Sequence, residues 1–338
     1  MKKILLIYTG GTIGMVKDEK GALVPFKLEN ILSKIPALEN FPMRIDTVSI
    51  DKPKDSANFM TQDWQSLGRL INERYQEYFS FVVLHGTDTM AYTASAISFF
   101  FQNLKKPIVF TGSQLPIDDL RSDAVKNVME SLTTAMLSED GKAILSEVVI
   151  CFGGKVLRAN RSTKISSESF QAFDSPNYPV LINFGVGLNI RKTSFFKPNL
   201  EEQTIYNDCL MPGVFIVSLH PGWSPQYLEF LIENDDIKVL LMQTYGAGTF
   251  ISESWFVDLL KSAKQKGKYI INKSQCMHGE VKEGLYAAGA DFEDLGMISA
   301  QSMTLEAVVA KSMCLLGVKN QKIDFEKAFK TSFSGETD

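Results

Sequence analysis

Short apolar, β-branched runs recur along the first half of the chain, each followed by a longer stretch with helical spacing. Lys3–Tyr8, Arg44–Ile50, Phe81–His85, Pro107–Thr111 and Glu147–Phe152 read as strands. Thr61–Tyr75 (Thr61 as N-cap), Thr89–Asn103 and Arg121–Leu137 read as helices between them. Strand, loop, helix and strand in repetition predict a parallel sheet covered on both faces. The strands are nearly continuously apolar, as burial on two sides requires. A second series follows, with strands at Gly213–Leu219, Val239–Gln243 and Tyr269–Asn272 and helices near Ser224–Glu233 and Glu253–Lys266. Helices around Thr304–Leu316 and Asp324–Phe333 close the chain. Residues 185–211 are mixed and polar without clear periodicity and read as a linker. The expected fold class is α/β: a larger, mostly parallel, doubly wound N-terminal domain (1–184) and a smaller C-terminal α/β domain (212–338).

Composition narrows the function classes. The 338 residues are 45% hydrophobic and 22% charged, with a net charge of −4. That suits a soluble globular chain and lacks the basic footprint of a nucleic-acid binder. Four scattered cysteines with no C-x-x-C pair argue against a disulfide framework or zinc ribbon. Three histidines, none in H-E-x-x-H spacing, argue against a metal centre. The N-terminal run Ile4–Tyr8 is shorter than the roughly 7–15 apolar residues of a secretory leader. No segment approaches the ~18 uninterrupted apolar residues of a membrane helix. The expectation is a cytoplasmic protein.

In such a sheet the ligand site lies beyond the carboxyl ends of the strands. Those positions hold Thr9-Gly10-Gly11-Thr12-Ile13-Gly14, Asp55-Ser56-Ala57-Asn58, His85-Gly86-Thr87-Asp88-Thr89, Gly112-Ser113-Gln114 and Arg161-Ser162-Thr163-Lys164. Hydroxyls, a carboxylate and a lysine thus gather at successive strand ends. Each has an ordinary structural role open to it. Gly10-Gly11 can simply make a turn, Thr12 or Thr87-Asp88 can cap a helix, Ser113 can be a turn residue, and Lys164 a solvated lysine. His85 reads as a strand-end core histidine. The dinucleotide fingerprint, the P-loop and the G-x-S-x-G elbow are all absent from the sequence. What remains is a hydrolase built on threonine, whose hydroxyl needs a base. With histidine scarce, a partly desolvated lysine oriented by a carboxylate is the available one. Thr87, Asp88 and Lys164 form that set if the fold returns Lys164 to the end of the third strand.

Thr9-Gly10-Gly11-Thr12-Ile13-Gly14-Met15 and Leu84-His85-Gly86-Thr87-Asp88-Thr89-Met90 resemble the two signature segments of the bacterial-type L-asparaginases, most like the cytosolic type I enzymes. Phe110–Gln114, Leu120–Asp123, Asn160–Lys164, Thr244–Gly248 and Gln275–Met277 also have counterparts, so the resemblance spans nearly the whole chain. It implies the asparaginase/glutaminase-like fold and hydrolysis of L-asparagine to L-aspartate and ammonia, with no metal or organic cofactor. Thr12 falls on the family's nucleophile, which forms a β-acyl-enzyme. Thr87, Asp88 and Lys164 fall on the second threonine, aspartate and lysine that assist proton transfer and water attack, with the aspartate also holding the substrate ammonium. Gly11, Asp55, Ser56 and Ser113 join Thr87 and Asp88 as implied substrate-binding positions, and backbone N–H groups near Thr87 and Ser113 would meet the oxyanion. A homo-oligomer, a dimer of intimate dimers, is implied as well.

Three departures stand out. Gly21-Ala22-Leu23-Val24-Pro25 lacks the tyrosine many relatives carry past the nucleophile, and Tyr286 of a neighbouring subunit is the expected substitute. Thr249 stands where asparagine is common. Some type I relatives bind an activating asparagine near the position of Cys276; Thr163 and Cys276 are present, but Gln243 replaces an arginine used there. Two other readings compete: a broader amidase acting on glutamine or on a misacylated tRNA, and a non-catalytic amino-acid sensor. The acidic balance opposes the tRNA version, and retention of Thr12, Thr87, Asp88 and Lys164 opposes the sensor.

Overall fold

The computed structural model describes residues 2–17, 23–25, 28–282, 295–318 and 324–337 of the chain. The chain divides into two compact units, Met1–Asp208 and Cys209–Asp338. The strands that build the first unit's main sheet are β1 (Lys3–Tyr8), β2 (Arg44–Ser49), β3 (Ser80–Leu84), β4 (Ile108–Thr111), β5 (Val148–Phe152), β6 (Lys155–Arg158), β9 (Ile182–Phe184) and β10 (Leu188–Ile190). A small separate hairpin, β7 (Thr163–Lys164) with β8 (Phe173–Asp174), lies between β6 and β9 in the chain. The order across the sheet is β10-β9-β6-β5-β4-β3-β1-β2. Neighbours from β2 to β5 run parallel, and β6, β9 and β10 extend the sheet antiparallel.

Burial explains why the parallel part was readable. Ile4, Leu6, Tyr8, Val82, Leu84, Val109, Val149 and Cys151 point into one core layer, together with Ala124, Val128 and Leu132. The alternate residues Leu5, Ile7, Phe81, Val83 and Phe110 are also sealed. Each such side chain contributes about 1.5–3 kcal/mol of burial. The three longest helices described in this unit are α1 (Thr61–Glu73), α2 (Met90–Phe100) and α3 (Ala124–Met136). The N-cap of α1 is Met60, not the expected Thr61: the Asp63 carboxylate accepts the Met60 N–H at 2.7 Å, so the helix begins one residue earlier. Residues 185–211, read as a linker, carry β10 and a short segment, Ile205–Tyr206, that pairs with Phe101–Gln102.

The second unit has an all-parallel sheet of β11 (Val214–Ser218), β12 (Val239–Thr244), β13 (Tyr269–Ser274) and β14 (Met297–Ser299), in that order. Its described helices are α4 (Pro225–Glu233), α5 (Ser254–Gln265), α6 (Leu305–Gly317) and α7 (Phe325–Lys330). Leu240, Met242, Phe256, Leu260 and Ile270 are among its core residues. No described helix is long and apolar enough to cross a membrane.

Candidate active site

Register brings the strand ends of the first unit level: Tyr8 pairs with Ser49 and Leu84, and Leu84 with Thr111. The loops that follow touch through backbone. A methyl group on Gly11 would lie 2.4 Å from Gly86 Cα, one on Gly10 would lie 2.1 Å from the Lys54 carbonyl, and one on Gly112 would lie 2.3 Å from the His85 carbonyl. Gly86 in turn has the Ser56 hydroxyl where its side chain would be. Gly11 also holds φ at +86°, a region that favours glycine. The residue preceding Thr12 is therefore packed on the residue preceding Thr87. Thr12 itself is half-buried and opens a single 3-10 turn, Thr12–Gly14, closed by the Gly14 N–H to the Gly11 carbonyl at 3.1 Å. Tyr8 reaches up from β1 and donates to the Gly14 carbonyl at 3.3 Å; burial pushes its phenol up to about 12.

Lys164 does return to the end of β3. Its Nζ donates to Thr87 Oγ1 at 2.8 Å and to Asp88 Oδ1 at 2.6 Å. The turn that carries it there follows from topology: β6 runs antiparallel back along β5, and the chain leaves it to form β7. Thr87 is buried, the Lys164 side chain is 17% exposed, and Asp88 is 62% exposed. The lysine is thus held from the inside by a hydroxyl and from the outside by a carboxylate that still faces solvent.

The other predicted residues take definite places. Ser56 is buried, and its carbonyl accepts from Thr89 Oγ1 at 2.8 Å. Asp55 is exposed and caps the Ser56–Asn58 turn through the Ala57 N–H. The buried Ser113 donates its hydroxyl to the Leu115 carbonyl. His85 has the structural role its position suggested. Burial pushes its pKa down to about 4, so the ring is neutral at pH 7. It packs between Phe59 and Phe110, and Nδ1 carries the proton because it bonds the Gly86 carbonyl at 2.8 Å. The ring therefore braces the turn leading to Thr87.

Gln114, Asp123 and Asn127 were not assigned roles from sequence. Gln114 Oε1 lies 3.5 Å from Thr87 Oγ1, and the buried Asp123 and Asn127 organise the loop after β4. A signal existed: two polar residues spaced i, i+4 share the face of α3 that also holds Ala124, Val128 and Ser131, all sealed.

The residues considered for regulation divide between the units. Thr163 belongs to β7 in the first, whereas Gln243 lies in β12 of the second and the exposed Cys276 follows β13. Thr249 closes a tight turn with Tyr245. Tyr286 and residues 18–22 lie outside the described residues.

The chain is similar to known proteins over its whole length. Residues 3–195 match the family model for the asparaginase N-terminal domain, and residues 213–329 match the glutaminase/asparaginase C-terminal domain. The chain is 35% identical over 337 residues to L-asparaginase 1 of Escherichia coli strain K12, covering 99% of this chain and 98% of that one. The thermostable L-asparaginase from Thermococcus kodakarensis superposes with a TM-score of 0.88 at 30% identity, covering 99% of this chain and 98% of that one. L-asparaginase I from Vibrio cholerae O1 biovar eltor superposes at 0.87 with 33% identity, covering 100% and 99%. With both domain models matched in order and relatives 30–35% identical along the whole chain, the chain belongs to the asparaginase family.

Proposed function

We propose that this protein is an L-asparaginase that hydrolyses L-asparagine to L-aspartate and ammonia through a threonine acyl-enzyme. The observation that supports the reading best is the Lys164–Thr87–Asp88 constellation, 2.8 and 2.6 Å from Nζ, set beside the Gly11–Gly86 approach that brings the Thr12 loop to it. In the first step Thr12 Oγ1 bonds to the β-amide carbon and its proton passes to the leaving nitrogen; the C–N bond breaks and ammonia departs. Water then adds to the ester carbon, its proton returns to Thr12 Oγ1, and aspartate leaves. Thr87 and Lys164 move the proton in both halves. Asp88 holds the substrate ammonium, Ser56 and Asp55 line the α-carboxylate and α-amino end, and backbone N–H groups near Thr87 and Ser113 receive the oxyanion. These steps need no metal or organic cofactor.

If Asp88 and Ser56 fix the α-ammonium and α-carboxylate, the reach to Thr12 is set for a β-amide. Glutamine, one methylene longer, misplaces its carbonyl, and such displacement costs about 100-fold. The protein is read as cytoplasmic, in keeping with four cysteines held as thiols, and as a homotetramer built from intimate dimers, in which Tyr286 of a neighbouring copy shields Thr12. Phe215 and Ile216 on edge strand β11, and Phe230 on α4, are exposed apolar side chains available for such contacts. Thr163 and Cys276 are retained while Gln243 stands where some relatives use an arginine, so both loss and retention of activation by a second asparagine stay open on this reading. The test is ammonia release across asparagine and glutamine concentrations, with Thr12→Ala as control. Turnover of asparagine with Thr12→Ala inactive supports the covalent reading; wild-type kcat in Thr12→Ala overturns it.

A further inference from the structure

The Leu120–Asp123 segment matched the family but has no part in the steps above. Asp123 precedes α3 at its N-cap, where an aspartate normally accepts the N–H groups of its own helix. It makes no such bond. Ser122 Oγ takes the Ala124 N–H instead at 3.1 Å, and the Asp123 carboxylate turns to the loop after β4. There it accepts the Gln114 N–H at 3.0 and 3.1 Å and the Leu115 N–H at 3.2 Å. The side chain has been diverted from the helix to a loop.

One turn further along α3, Asn127 is fully buried. Asparagine is a poor helix former, and this one bridges three elements. Its Nδ2 donates to Asp123 Oδ2 at 2.9 Å and to the Gly112 carbonyl at 3.0 Å, while Oδ1 accepts the Gly153 N–H at 3.2 Å. Gly112 and Gly153 are the residues that follow β4 and β5. Gly112 is packed on the His85 carbonyl, two residues before Thr87. Gly153, at φ +57°, is packed on the Phe170 carbonyl, in the segment between Lys164 and β8. A second tie holds that segment: Gln114 Nε2 donates to the Ser169 carbonyl at 3.0 Å.

We infer that Asp123 and Asn127 form a positioning clamp for the reaction. They touch neither Thr87 nor Lys164. They fix, from behind, the Gly112–Leu115 loop that faces Thr87 and the 165–171 segment that leaves Lys164 for β8. The inference rests on the proposed roles of Thr87 and Lys164. A buried polar network of this kind is rigid when every member is satisfied and loses that rigidity when one bond is removed. A displacement of about 1 Å at the reacting atoms costs about 100-fold.

The experiment measures kcat, KM and Tm on the full chain for Asn127→Leu, which keeps the branching at Cγ but removes all three bonds, and for the milder Asp123→Asn. The mild variant keeps one acceptor for the loop N–H groups while setting an amide against Asn127 Nδ2. Assays run well below each Tm. The clamp predicts that kcat falls about 100-fold in Asn127→Leu and about 10-fold in Asp123→Asn. KM stays within about threefold of wild type in both, and the pH profile of kcat keeps its shape because neither residue exchanges a proton with substrate. Should Asn127→Leu not fold, Asp123→Asn decides alone. A folded variant with kcat within twofold of wild type overturns the clamp in favour of a purely structural role, and loss of one limb of the pH profile overturns it in favour of direct catalysis. Parallel assays of Lys164→Met separate the levels: if that variant is also fully active, the reading of the site itself has failed.

Discussion

Two lysine–carboxylate pairs, one in each unit, use the same chemistry in opposite settings. Lys311 and Glu336 are 1% and 0% exposed, with Nζ 2.6 Å from Oε1. Their remaining capacity is filled by the chain end: Lys311 donates to the Phe329 and Thr331 carbonyls, and Glu336 accepts the Phe333 and Ser334 N–H groups. Burial pulls the Lys311 pKa below the usual lysine range, with Glu336 opposing it. Lys164 and Asp88 are equally close, 2.6 Å, but Asp88 is largely exposed and Lys164 has a hydroxyl as its other partner. The sealed pair is satisfied on every side and can only hold the C-terminal segment in place. The open pair leaves a carboxylate facing solvent, where an incoming ammonium can meet it. Exposure, rather than the pairing itself, separates the pin from the candidate site.

Substituting one lysine of each pair should therefore damage different things. Lys164→Met is expected to lower kcat by about 10²–10⁴-fold, while a pair whose carboxylate faces solvent is screened and worth about 0–1 kcal/mol to folding; steady-state kinetics and urea denaturation measure the two. Lys311→Met leaves Glu336 buried and uncompensated and should cost about 3–5 kcal/mol of stability. Its kcat should stay at the wild-type value at temperatures where the variant is folded. If Lys311→Met loses activity but not stability, or Lys164→Met the reverse, the comparison breaks.

His85 sharpens the same point with a sealed group whose hydrogen-bond partner is a carbonyl. Its folded pKa of about 4 lies below the usual 6.5. Between those values the unfolded chain holds the extra proton, so stability is fully present above pH 6.5 and is lost as the pH falls toward 4. The loss by pH 4 is roughly 3 kcal/mol, and His85→Gln should flatten that part of the stability–pH curve measured by denaturant unfolding. The smallest effect belongs to a third pair, Lys330 and Glu326, one turn apart on α7 at 2.8 Å and 43% and 49% exposed. Lys330→Gln should change stability by no more than about 0.5 kcal/mol.

The parallel strands were legible because burial on both faces leaves a continuous apolar run; Lys3–Tyr8 is found with the bounds read from the sequence. The antiparallel extension was not. Leu188–Ile190 is short, polar in the middle and half-exposed at the sheet edge, so it carries no such signature. That hidden part decides the site, since the β5–β6 reversal is what returns Lys164 to Thr87. Thr12, Thr87, Asp88 and Lys164 could be named from motif and strand-end position. Asp123 and Asn127 were harder, because a polar residue inside a helix announces its burial only when its neighbours on the same face are known.

The four glycine contacts at the strand ends also bear on how this enzyme can vary. Gly10, Gly11, Gly86 and Gly112 each meet backbone or a buried hydroxyl at 2.1–2.5 Å where a methyl would stand. A saturation mutational scan should record these positions as a trough of intolerance as deep as that of the proposed catalytic threonines, even though none of them carries a side chain. Drift in the spacing between the two threonine loops is closed off at single steps. New specificities on this scaffold have to come from the side chains around the site, with the distance between the loops inherited unchanged.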